Sequence, residues 1–224
     1  MQNPIRIFTR NEWILWIASL ALVLISNLTS PDPDLITLAA ALIGVTSLVL
    51  AAKGSVWAQI LMVVFSILYG ILSFRYWGEM LTYLGMSLPM SVWSAVTWFK
   101  NPSESGDKTV KIRFLTCRHV LLLTISCIAA TALFSWILWL LDTPNLLFST
   151  ISVATSFLAA ALTMLRSSYY AAGYAANDLV LIILWVMASM KDPAYLPVVV
   201  NFAIFFVNDL YGFFRWKKRE LQQA

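Results

Sequence analysis

The residues with chemical capacity in this sequence stand inside its apolar runs. The last run, Ala194 to Glu220, reads AYLPVVVNFAIFFVNDLYGFFRWKKRE. Asn201, Asn208 and Asp209 interrupt it, and Arg215, Lys217, Lys218 and Arg219 close it. About 20 apolar residues match a hydrocarbon core, where a centred Asp costs about 2.5–3.5 kcal/mol on insertion scales. Asn201 and Asn208 lie two helical turns apart and share a face with Phe205 and Gly212, with Tyr211 at its edge. Amides, a tyrosine and a glycine in one stripe predict a helix that lines a polar cavity. The competing expectation is that the amides bond neighbouring helices.

The run before it repeats the theme. Tyr170, Tyr174, Asn177, Asp178 and Trp185 are spaced so that most fall on one helix side, and both runs hold an Asn-Asp pair. Milder polar stripes occur earlier: Gln59, Ser66, Tyr69 and Gly70 in one run, and Glu79, Tyr83, Ser87 and Ser94 in the next, with Pro89 as an expected kink. Aromatic faces stack on a flat ring, and amides read its edges without adding charge. The expected site therefore has Tyr170, Tyr174 and Trp185 stacking a ring, and Gln59, Asn177, Asn201, Asn208 and Tyr211 hydrogen-bonding it. Asp178 and Asp209 are expected behind the amides, as acceptors that orient them. Trp13, Trp16, Trp77, Trp98, Trp136, Trp139 and Trp216 lie near run ends or on lipid-exposed segments and read as interfacial belts.

Composition decides the class. The 224 residues are 60% hydrophobic and 12% charged, with a mean hydropathy of +0.79. Soluble domains carry about 25% charged residues, so this is an integral membrane protein. The net charge of +4 does not indicate nucleic acid, because the basic residues sit between apolar runs. Cys117 and Cys127 share one run and His119 is the single histidine, so neither a disulfide framework nor a metal site is expected. With no phosphate-cradling glycine loop and no nucleophile-plus-base set, neither an enzyme nor a cofactor is expected. Met1 to Arg10 is polar and basic, with no removable signal peptide expected.

Eight spans follow, at 12–29, 35–53, 55–74, 77–99, 117–141, 144–165, 168–190 and 193–216, separated by short connections. The longer polar loop Lys100 to Arg113, with Pro102, Ser103, Ser105 and Gly106, is expected to be flexible. Placing both termini in the cytoplasm puts every basic residue inside except Arg75 and Lys191, while Asp32, Asp34, Asp142 and Asp192 fall outside. Sliding the chain by 118 residues pairs Gln59 with Asn177, Trp77 with Tyr195, Tyr83 with Asn201, Trp93 with Tyr211, Trp98 with Trp216 and Lys100 with Lys218. Spans two to four thereby map onto spans six to eight in the same membrane orientation, a parallel repeat. The expected fold is all-α integral membrane, with eight transmembrane helices in two three-helix bundles joined by one helix, plus an extra N-terminal helix. Its parts are 1–34 (tail and extra helix), 35–99 (first bundle), 100–143 (loop and linker helix), 144–216 (second bundle) and 217–224 (basic cytoplasmic tail).

Asn201 followed by Asn208, Tyr211-Gly212 and Trp216 before a basic tail resembles the PnuC family of bacterial vitamin transporters. The Gly54-Ser55 start of the third span after Lys53, and Trp98-Phe99-Lys100 ending the fourth, look like the same family. The resemblance covers about residues 35 to 219. It implies two three-helix bundles joined by one helix, similar to SWEET sugar transporters, with a supernumerary first helix. It also implies residence in the bacterial plasma membrane and energy-independent facilitated diffusion of a vitamin, commonly nicotinamide riboside. A cytoplasmic kinase then traps the substrate, and a homotrimer is the implied assembly. Nicotinamide riboside members carry Trp-x-x-Trp at the head of span seven, where this chain reads Tyr169-Tyr170-Ala171-Ala172-Gly173-Tyr174. Relatives that take thiamine, riboflavin or deoxynucleosides are the alternative within the family. A membrane scaffold whose amides only pack helices is the alternative outside it.

Overall fold

A computed structural model describes residues 8–72, 80–103 and 109–223. Glu79 of the fourth polar stripe, Trp77 of the expected belt, and Ser105 and Gly106 of the long loop lie outside them. Among the described residues are eight long helices: α1 (Arg10–Leu28), α2 (Leu35–Lys53), α3 (Val56–Leu72), α4 (Leu88–Lys100), α5 (Cys117–Leu140), α6 (Leu146–Met164), α7 (Tyr170–Ser189) and α8 (Leu196–Gln223). Among the described residues, α1, α2, α5, α6, α7 and α8 are each long and apolar enough to cross a bilayer. The ion pair of Glu12 with Arg215 places the start of α1 and the end of α8 at one end of the molecule.

Local chemistry sets the helix ends. Thr9 and Glu12 form a reciprocal capping box that opens α1. The Asp34 side chain accepts from the backbone N–H groups of Ile36 and Thr37 to open α2. Gly54 closes α2 in the left-handed region, at φ 75°, a conformation glycine adopts without a Cβ penalty. Before α4 the chain widens into a π-helical turn, Thr82–Ser87, in which the Leu88 N–H bonds the Tyr83 carbonyl. Pro89 has no N–H to offer the carbonyl four residues back, so the expected kink is resolved as a π turn.

Two bundles follow from the packing. The first is α2, α3 and α4; the second is α6, α7 and α8; α5 packs on α6, and α1 lies against both α2 and α8. The bundles meet along α2–α8 and α4–α6. The repeat read from the sequence has a physical signature here. The Trp98 indole Nε1 donates to the Thr163 carbonyl at 2.9 Å, and its repeat counterpart Trp216 donates to the Ala51 carbonyl at 2.8 Å. Each bundle's third helix thus bonds the end of the first helix of the other bundle.

Three expectations change. First, α8 continues to Gln223 as helix rather than ending in a basic tail. Its charges have partners: Lys217 Nζ donates to Glu220 at 2.7 Å, and Arg219 Nη2 donates to the Val110 carbonyl at 2.8 Å. Second, the described part of the long loop is docked. The Val110 N–H bonds the Gly54 carbonyl and the Arg113 N–H bonds the Arg166 carbonyl, so the loop spans both bundles. Third, the amide stripe of α8 faces α1, not a cavity. Asn27 Nδ2 donates to Asn201 Oδ1 at 3.3 Å, Asn208 Nδ2 donates to Ser19 Oγ at 2.9 Å, and the Tyr211 hydroxyl donates to Glu12 Oε1 at 3.0 Å.

Glu12 anchors that seam. Its side chain is fully buried, paired with Lys53 of α2 at 2.7 Å and with Arg215 of α8 at 3.4 Å. One carboxylate therefore joins α1 to a helix of each bundle. Replacing Glu12 by alanine strands two cations. Removing one partner of a buried pair costs about 3–5 kcal/mol, and because Arg215 reaches solvent the expected loss is at the low end of that range. Thermal unfolding of the purified Glu12→Ala protein checks this; an unchanged midpoint would show that the seam contributes little to stability.

Candidate functional site

Two spaces lie beside the helices of the second bundle. The outer, the vestibule, is a space of about 550 Å³ beside the loops at the end opposite the termini, lined by Asp142, Lys191, Asp192, Trp185, Tyr195 and Ser152 among others. The inner is a cavity of about 50 Å³, lined by Phe65, Ser66 and Tyr83 from the first bundle and by Tyr174, Asn177, Asp178, Phe205 and Asp209 from the second. Tyr83 and Ser156 line both spaces, so the two adjoin.

The inner cavity has an aromatic wall and a polar wall. Phe65 packs edge-on to Tyr83 with ring centroids 5.8 Å apart and edge-on to Phe205 at 6.1 Å, while Tyr69 lies 4.7 Å from Tyr83. On the opposite side, Asn177 Oδ1 accepts from three hydroxyls of α6: Ser152 at 3.3 Å, Thr155 at 2.8 Å and Ser156 at 2.9 Å. These fix the amide and leave its NH2 as the group with hydrogen-bonding capacity. Next to it, Asp178 of α7 and Asp209 of α8 line the same cavity.

The expected site residues divide into three groups. Tyr174 and Asn177 line the inner cavity and Trp185 the vestibule. Asp178 and Asp209 also line the cavity, whereas the hydroxyls of α6, not the carboxylates, orient Asn177. Asn201, Asn208 and Tyr211 bond α1, as described above, and Gln59 is buried at 4% exposure away from the cavity lining. Tyr170 belongs to the floor. The sequence stripe was real, but its direction was not legible. Each residue turns 100° about a helix axis, so Asp209 faces the cavity while Asn208 beside it faces α1.

The floor seals the end that carries the termini. Trp98 and Trp216 are fully buried with ring centroids 5.3 Å apart, and Tyr170 meets Trp216 at 4.7 Å. Neither tryptophan belongs to an interfacial belt, as the sequence had suggested; their indole N–H groups are occupied by carbonyls across the bundle interface. Below them the strap Val110–Arg113 and Arg219 close the surface, with the Arg219 guanidinium against Gly54 where a Cβ would stand. Trp136 and Trp139, at 59% and 62% exposure, lie on the outer surface of α5. Residues that site reasoning passed over are Phe65 and Ser156, whereas Phe205, placed on the α8 stripe, does line the cavity; Phe65 has the composition of any core aromatic, and only the helix packing turns it inward.

The profile of the nicotinamide mononucleotide transporter family matches residues 34–218. The chain belongs to that family. A curated relative, the nicotinamide riboside transporter PnuC of Neisseria mucosa, is 26% identical over 215 residues, covering 92% of this chain and 80% of the relative. The crystal structure of the vitamin B3 transporter PnuC superposes with a TM-score of 0.84 at 22% identity, covering 97% of this chain and 94% of that one. The PnuC resemblance and the all-helical architecture are thereby established for a multi-pass membrane protein.

The two indole–carbonyl bonds at the terminus-bearing end make a testable barrier. In a background lacking Cys117 and Cys127, a cysteine at Ser91, which lines the inner cavity, reports access. Replacing both Trp98 and Trp216 by phenylalanine removes the cross-bundle hydrogen bonds, each worth about 1 kcal/mol. The expected outcome is several-fold faster labelling of Ser91→Cys by an impermeant thiol reagent from the terminus-bearing side. Unchanged labelling would show that the tryptophans are not the barrier.

Proposed function

We propose that this chain carries nicotinamide riboside across the bacterial cytoplasmic membrane by facilitated diffusion, the substrate being trapped inside by a phosphorylating kinase. The observation that carries this reading is the cavity itself. It holds aromatic faces and a fixed amide at the junction of two repeated bundles, in a chain whose relative is named a nicotinamide riboside transporter. Tyr174 and Tyr83 supply ring faces where Trp-x-x-Trp is missing, the Asn177 NH2 donates to the substrate, and Trp185 lines the approach. The basic residues at the terminus-bearing end favour a cytoplasmic location for both termini, so the open vestibule faces outward. Rocking of one bundle against the other, with the floor of Trp98, Trp216 and Tyr170 parting, delivers substrate inward. The exposed length of α5, of which Leu138 alone is buried, is the surface for lipid or for the neighbouring copies of a trimer.

Uptake of labelled nicotinamide riboside into proteoliposomes without a kinase tests the mechanism. The internal concentration should rise to the external one and stop there, with or without an imposed proton gradient. Accumulation above equality driven by that gradient would overturn facilitated diffusion. Unlabelled thiamine, riboflavin or a deoxynucleoside that competes better than nicotinamide riboside would move the assignment to that substrate. Two amide substitutions separate lining from packing. Asn177→Leu should weaken substrate affinity at least tenfold. Asn208→Leu should lower thermal stability by about 1–3 kcal/mol through the unpaired Ser19, and leave affinity unchanged.

A further inference from the structure

Away from the cavity, three arginines come together where α6 ends and α5 begins. The Arg113 N–H bonds the Arg166 carbonyl, which sets the strap beside the end of α6. Arg166 Nη1 donates to the Lys111 carbonyl at 3.2 Å, and Arg113 Nη2 stands 2.7 Å from His119 Nε2 in the first turn of α5. Arg118 lies on that same turn. Arg113 and Arg118 are exposed and Arg166 is half-buried. Among the described residues, none of the three takes part in an ion pair. Burial lowers the pKa of the Arg166 guanidinium, and repulsion from Arg113 lowers it further, so two like charges are held near each other. Arg166 also adopts the left-handed region, at φ 58°, just past the end of α6, where glycine would carry no Cβ penalty. A cation is thus kept where the backbone favours glycine, which marks the side chain as what the position needs.

We propose that Arg113 and Arg166 hold the phosphate of an anionic phospholipid in the leaflet at the terminus-bearing end, with its acyl chains along α5. Guanidinium forks match phosphate oxygens in a bidentate way, and a phosphate between the two arginines replaces their repulsion with two attractions. The N-terminus of α5 adds the positive end of a helix dipole. The surface beside the arginines directs the site to a lipid rather than to a soluble phosphate. Phe114, next to Arg113 in the chain, is exposed, as are Leu121, Leu122 and Ile125 further along, on a helix of which Leu138 alone is buried. Paired cations at the head of an exposed apolar helix meet both parts of one lipid, headgroup and chain. Because the strap also bonds Gly54 of the first bundle, a lipid held there braces that end of the molecule.

Native mass spectrometry and thermal unfolding of the purified, delipidated full-length protein test the site, with phosphatidylglycerol, phosphatidylcholine and inorganic phosphate as probes. Phosphatidylglycerol should be retained and should raise the unfolding midpoint; phosphatidylcholine and inorganic phosphate should do neither. Arg166→Gly suits the left-handed backbone while removing the charge. Combined with Arg113→Gln, it should weaken phosphatidylglycerol binding about tenfold or more. Arg10→Gln removes a charge at the same end but on α1, which packs against α2 and α8, and should leave binding unchanged. Equal retention of phosphatidylcholine, or equal weakening by Arg10→Gln, would reduce the effect to general attraction and overturn the site. Stabilisation by inorganic phosphate equal to that by phosphatidylglycerol would assign the arginines to a soluble anion and overturn the lipid. An oligomer that retains no lipid and dissociates in the double variant would give this face to a second copy, and overturn the proposal as well. If the double variant does not fold, Arg166→Gly alone decides, since its backbone change is favourable.

Discussion

Inside a bilayer every polar group needs a partner from the protein, and the structure depends on how that demand is met across the bundle interface. Two indole N–H groups, from Trp98 and Trp216, find carbonyls on the opposite bundle. Those carbonyls, Thr163 and Ala51, lie in the last turns of α6 and α2, where a helix has carbonyls to spare. The two bonds are related by the internal repeat, so they close one end of the molecule symmetrically and leave the other end to the vestibule. Because each is a single neutral hydrogen bond, worth about 1 kcal/mol, the seal is firm as a set but separable, as a transporter needs.

The α1 helix solves a different problem. It lies outside the repeat and covers the α2–α8 seam, and it does so with polar contacts: Asn27, Ser19 and Glu12 meet Asn201, Asn208 and Tyr211. Apolar helices gain little from meeting one another in lipid, since the lipid tails are as apolar as leucine. Hydrogen bonds and the Glu12 ion pairs therefore hold a helix that packing alone would leave loosely attached. The strap at Val110–Arg113 does comparable work at the surface, tying Gly54 of the first bundle to Arg166 of the second.

These two layers, α1 on one side and the inner cavity on the other, explain why α8 carries polar residues on more than one face. Asn201 and Asn208 serve the seam; Asp209 and Phe205 serve the cavity. A similar division holds in α7, where Tyr170 belongs to the floor and Tyr174, one turn on, to the cavity. Cavity lining and helix assembly thus draw on adjacent residues of the same helices.

The sequence alone determined that this is a membrane protein, that it has eight helices with both termini at one end, and that three of them repeat another three. Each follows from one-dimensional quantities: the lengths of apolar runs, the distribution of Lys and Arg, and a shift of 118 residues that pairs Trp98 with Trp216. It also picked out Tyr174, Asn177, Asp178, Asp209 and Trp185 as unusual for their surroundings. It could not say which way they point, because an amide stripe looks the same whether its partner is a neighbouring helix or a cavity. Only the tertiary structure decided that. Helix α1 occupies the face that Asn201, Asn208 and Tyr211 present, while distant Phe65 and Tyr83 arrive opposite Asp178 and Asp209, because helix rotation and crossing are fixed by packing against partners far away in the chain.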